Sequence, residues 1–90
     1  MLETPTRTSP GERLTARQIF ARNLRRYRRV IDMSQEELAF KAGMSRSYVS
    51  GIERAVRNVS IDNMGELANA LGLPLKDLLD PTLFAGVEKS

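Results

Sequence analysis

The stretch that most constrains this chain is SQEELAFKAGMSRSYVSGIER, residues 34–54, where two helix starts are separated by one helix stop and almost no linker. Ser34 and Glu37 have capping-box spacing, and Met33 and Leu38 flank them as an apolar staple pair. A helix over Gln35–Ala42 is expected. Gly43 ends it, as the residue that best tolerates the left-handed backbone of a helix stop. Ser45 then caps a further helix, with Met44 and Val49 as its staple. Only Gly43, Met44 and Ser45 lie between, so the two axes must cross steeply. Ala39 provides the small side chain that a close crossing needs, and Val49 and Ile52 provide apolar anchors opposite it. Arg46, Ser47, Ser50, Gly51 and Arg54 are left on the outer side.

The flanking sequence repeats these signals. Thr15 with Gln18, stapled by Leu14 and Ile19, starts a first helix at Ala16 whose apolar stripe is Phe20, Leu24, Tyr27 and Ile31. Ser60 caps a fourth helix with Ile61, Met64, Leu67, Ala68 and Leu71 inward and Gly72 as its stop. Pro74 opens a short fifth with Leu75, Leu78 and Leu79 on its apolar face, and Pro81 discourages continuation. Met33, Met44 and Met64 read as core filler. No strand signal and no repeat is evident, so the fold class is all-α, five helices in one bundle. Residues 1–13, rich in Pro, Thr and Ser, are expected to form a loose arm, residues 14–80 the folded domain, and residues 81–90 a tail.

Ninety residues make one small domain, with no room for a separate effector-binding domain. The absence of Cys and His removes thiolate and imidazole metal sites, the usual nucleophile pairs and the commonest general base. The carboxylate pairs Glu36–Glu37 and Asp77–Asp80 read as helix-surface charge, with no phosphate loop or metal cluster beside them. A non-enzyme without cofactor or metal is expected. No run approaches a membrane span, and the amino terminus lacks a signal-peptide apolar core, so no membrane role and a cytoplasmic location are expected.

The charge is polarised. Residues 13–57 carry eleven basic and four acidic side chains, whereas residues 58–90 carry two basic and five acidic. One surface is thus suited to a polyanion, although charge alone does not separate DNA from RNA or anionic lipid. Spacing decides. A short helix held steeply across its predecessor can enter the roughly 12 Å major groove of B-DNA while the preceding helix lies over the phosphates.

Across residues 20–79, SQEELAFKAGMSRSYVSGIER together with RNVSIDNMGELANALGL resembles the lambda-repressor and Cro type of helix-turn-helix regulator, the XRE family. RSYVSGIERAVRNVSI is similar in particular to controller proteins of restriction-modification systems. The resemblance implies a lambda-repressor-like domain with its helix-turn-helix at about 35–54, Gln35 as a phosphate clamp, and Arg46, Ser47 and Gly51 at base-facing positions. It also implies backbone contacts from Arg54, Arg57 and Asn58, with Arg57 able to reach a base edge, and a structural pair between Arg28 and Glu53. Ala55 stands where many relatives carry Gly, so the turn after the third helix is expected to differ slightly or to be strained there.

Several side chains are read from their own placement. Arg46 can fork onto guanine O6 and N7, Ser47 can meet several bases, and Gly51 permits close approach or reads nothing. Ser50 shares that face as a base or phosphate contact or a solvated serine. Tyr48 contacts phosphate, stacks on sugar and thymine methyl, or lies over the core rim. Arg22 and Arg25, in a helix of six arginines and no acid, are backbone or steering contacts, or a solvated face.

The expected partners are a double-stranded operator and a second copy of the chain, because paired modules one helical turn apart multiply specificity. Leu75, Leu78, Leu79, Leu83 and Phe84 form the candidate homodimer face, or close the core. The alternative function is an antitoxin-like or anti-regulator module that uses the same fold on a protein partner.

Overall fold

A computed structural model describes residues 13–84. Helices α1 (Ala16–Val30), α2 (Gln35–Ala42), α3 (Arg46–Glu53), α4 (Ile61–Leu71) and α5 (Leu75–Leu78) follow in chain order, with no strand among the described residues. The expected arm lies outside the described residues apart from Arg13, as does the tail beyond Phe84. Among the described residues, no helix is long and apolar enough to cross a membrane.

The caps form as their spacing dictates. Thr15 Oγ1 accepts from Gln18 N at 3.1 Å while Gln18 Oε1 accepts from Thr15 N at 2.9 Å, and Ser34 with Glu37 repeats the exchange at 2.9 Å both ways. Ser45 and Ser60 each accept from the backbone three residues on, at 3.0 Å.

The helix ends share one device. After α2, Gly43 turns left-handed (φ 72°), and Met44 N donates back to Ala39 O at 2.9 Å; after α4, Gly72 (φ 76°) precedes Leu73 N donating to Ala68 O at 3.0 Å. The same closure ends α1 and α3 on residues that carry a β-carbon. Asp32 (φ 60°) precedes Met33 N donating to Arg28 O, and Ala55 (φ 61°) precedes Val56 N donating to Gly51 O, both at 3.0 Å. Aspartate tolerates this region better than most residues; alanine does not.

The core joins Phe20 and Leu24 of α1, Leu38, Ala39 and Ala42 of α2, Val49 and Ile52 of α3, Leu67, Ala68 and Leu71 of α4, and Leu78 of α5. Met33, Met44 and Met64 are partly buried against it. Two expected inward residues are not in it. Ile31 follows the last turn of α1 and is exposed, and Ile61, at the first position of α4, is 66% exposed because the chain has not yet turned onto the core. Asn23 is fully buried beside the stripe, and its Nδ2 donates to Leu78 O (3.0 Å) and Asp80 O (2.8 Å). This pins the carboxy-terminal turn to α1 and satisfies the last carbonyl of α5 together with one in the turn that follows.

Ala55→Gly should relieve a backbone conformation costing an L-residue roughly 1–2 kcal/mol, less the roughly 0.4–1 kcal/mol by which glycine favours the unfolded chain. The net gain of about 0.5–1 kcal/mol is expected to raise the thermal midpoint by roughly 2–8 °C, measured by circular dichroism.

Candidate nucleic-acid interface

The tight turn at Gly43 sets α3 across α2 with Val49 and Ile52 buried beneath it and Arg46 and Ser47 exposed at its start. Ser50 is half-buried and Arg54 exposed. Gly51 departs from expectation: it is buried, because the side chain of Arg57 lies over it.

Glu53, the last residue of α3, organises the site. It is 2% exposed and accepts from Arg28 twice, Nε to Oε2 at 2.7 Å and Nη2 to Oε1 at 2.9 Å. Arg28 Nη1 also donates to Met33 O at 2.8 Å, which ties the end of α1 to the approach of α2. The hydrogen bond to Glu53 raises the Arg28 guanidinium above its ordinary range. Gln35 Nε2 donates to Glu53 Oε1 at 2.9 Å, and Gln35 Oε1 accepts from Arg46 Nη1 at 3.1 Å. A continuous relay therefore runs from buried Arg28 through Glu53 and Gln35 to exposed Arg46 at the tip of α3.

The loop after α3 is tied down separately. The Arg57 guanidinium lies over the Tyr48 ring, 5.2 Å from its centroid. Tyr48 is half-buried; its hydroxyl accepts from Asn63 Nδ2 at 3.2 Å and donates to Asn58 O at 3.4 Å. Arg17 Nη2 donates to Asn58 Oδ1, so the start of α1 reaches the same loop.

Between α1 and α3 an open groove of about 530 Å³ is lined by Arg22, Arg25, Arg26, Arg29, Gln35, Ser50 and Arg54. Arg25 Nη1 donates to Glu53 O at 2.9 Å, satisfying an end carbonyl of α3; burial, then Arg29 and Arg26, push its guanidinium below the ordinary range. Arg22 Nη2 donates to Pro81 O at 2.8 Å, so this side chain also clasps the carboxy-terminal turn. Arg17 and Asn63 escaped sequence reasoning, since nothing local marks partners so distant in sequence. Asn23 carried a signal: a polar residue at i+3 from Phe20 and i−4 from Tyr27, inside an apolar stripe.

A helix-turn-helix family model matches residues 24–78. The chain belongs to the helix-turn-helix family. Within it, the chain is 50% identical over 58 residues to control protein C.BamHI of Bacillus amyloliquefaciens, covering 64% of this chain and 72% of that protein. Its fold is similar to the restriction-modification controller protein C.AhdI of Aeromonas hydrophila, with TM-score 0.67 and 45% identity over 69% of this chain and 94% of the other. It is also similar to the controller protein C.Esp1396I, solved as a tetramer in complex with its natural 35 base-pair operator, with TM-score 0.68 and 27% identity over 74% and 92% of the two chains. The matched span runs from α1 to α5 and includes the α2–α3 pair, where the relay reaches Arg46.

Arg28→Met leaves the Glu53 carboxylate buried without its bidentate partner. A loss of about 3–5 kcal/mol is expected, read as a lower urea midpoint at unchanged slope.

Proposed function

We propose that this protein is a sequence-specific double-stranded-DNA-binding transcriptional regulator of the restriction-modification controller kind, acting in the cytoplasm as a homodimer on DNA upstream of its own gene. In this reading it acts on DNA without a cofactor and carries out no catalysis. The observation that carries this reading is the outward tip of α3, where Arg46 and Ser47 are exposed and Arg46 is oriented through Gln35 by a buried ion pair. Orientation matters because bidentate recognition of a guanine edge requires the planar guanidinium in one attitude. The operator-bound relative supports the same use of the fold.

In this reading Arg46, Ser47 and Ser50 meet base edges, while Gln35, Tyr48, Arg54 and Asn58 meet the sugar-phosphate backbone. Arg22 and Arg25 supply positive potential from the flanking groove, their tips already engaged by Pro81 and Glu53 carbonyls. The dimer face is Leu75, Leu79, Leu83 and Phe84, all partly or largely exposed. Leu78 is excluded from it, being 0% exposed inside the monomer core, because α5 is a single turn that must spend one leucine on closing the bundle.

Mobility-shift titrations against the DNA upstream of the gene test the reading. Arg46→Ala should relax preference at one position of each half-site by about 1–3 kcal/mol. Arg54→Ala should weaken all duplexes alike and reduce the salt slope by about one. If the wild type ignores every duplex at low ionic strength, a protein partner becomes the better reading. For assembly, Leu79→Glu is expected to shift sedimentation toward the 10.1 kDa monomer without changing the far-ultraviolet spectrum.

A further inference from the structure

Gly51 lacks a backbone reason to be glycine. It lies inside α3 with no positive φ, where glycine costs a helix roughly 0.5–1 kcal/mol relative to alanine. Its reason is spatial. A β-carbon built on Gly51 would overlap the γ-carbon of Arg57 and sit 3.3 Å from its δ-carbon and 3.6 Å from its β-carbon. These are the stem carbons of the arginine: the loop backbone places the β-carbon, and a methyl group at residue 51 would force the γ- and δ-carbons to rotate off the helix face. That backbone is itself held: Val56 N donates to Gly51 O at 3.0 Å, Ala55 N to Ile52 O at 3.0 Å, and Asn58 is gripped by Arg17 and Tyr48. Beyond the stem, the guanidinium rests over the Tyr48 ring.

We propose that Gly51 and Tyr48 are positioning residues for Arg57, forming a seat that lays this arginine along the outer face of α3. Residue 51 then sets how the protein engages DNA through a side chain of the following loop, without touching DNA itself. The proposal rests on the reading of α3 as the DNA-facing helix. It assigns Gly51 a role different from direct close approach to a base, and the two are separable because only the seat makes the effect of Gly51 depend on Arg57.

The test is a double-mutant cycle of Gly51→Ala and Arg57→Ala. Binding is measured to a duplex from upstream of the gene, beside a random duplex of equal length. It is accompanied by thermal unfolding and by proton NMR of the Arg57 side chain in the free protein. The proposal expects each single variant to lose roughly 5- to 100-fold in affinity, with the double variant no weaker than Arg57→Ala alone. It expects Gly51→Ala to unfold at the same or higher temperature. The Arg57 side-chain protons, shifted upfield by the Tyr48 ring in the wild type, should return to ordinary positions in Gly51→Ala. Wild-type affinity in either single variant overturns the proposal, as do losses that multiply in the double variant or Arg57 protons unshifted in the wild type. If the wild type binds no duplex, the DNA role of the seat falls together with the parent reading. The proton shifts then tell that failure apart from a misplaced Arg57.

Discussion

The carboxylate of Glu53 is the point on which the other arrangements of this molecule converge. It is almost completely removed from water, a position that a carboxylate occupies only when its oxygens are saturated with donors. Two bonds from Arg28 and one from Gln35 provide that saturation, and the carbonyl of the same residue takes the guanidinium of Arg25. One residue at the end of α3 therefore fixes that helix against both α1 and α2. The apolar contacts of Val49 and Ile52 hold α3 down, but such contacts are non-directional; the ion pair supplies the angular constraint that they lack.

The turns make the same point from the backbone. Four helices end by one closing pattern, and the two glycines fall on either side of the segment in which α3 and its loop are built. At Ala55 the pattern is imposed on a residue that resists it. Strain of this kind persists where the surroundings over-determine the backbone. Here the bond from Val56 to Gly51, the grip on Asn58 and the packing of Arg57 do so together.

Much of this was legible in the sequence, for a physical reason: caps, stops and periodic stripes are local, and this fold is built from short elements with almost no linker. Thr15 with Gln18, Ser34 with Glu37, Gly43 and Gly72 each specify their structure within four residues. The departure from glycine at Ala55 marked a turn either altered or strained, and the left-handed backbone there is the strained outcome. Ile31 and Ile61 were not, because periodicity does not mark where a helix end leaves the core. Leu78 was ambiguous between core and surface until the length of α5 was known. The burial of Gly51 was hidden altogether, since it depends on a loop side chain folding back, and no pattern in a window of one helix encodes that. The bonds from Asn23 to the carboxy-terminal turn were hidden for the same reason of distance along the chain.

Gln35 has a consequence for which side chains this position can accept. Its amide nitrogen faces an anionic acceptor and its amide oxygen faces a cationic donor. The two heads of the amide thus carry opposite polarity, matched to an environment polarised the same way. Glutamate would set two negative groups against each other on one flank, lysine two positive groups on the other, and asparagine would be a methylene short of bridging them. Neutrality of the whole combined with asymmetry of its ends is what this place between a buried acid and an outward base selects.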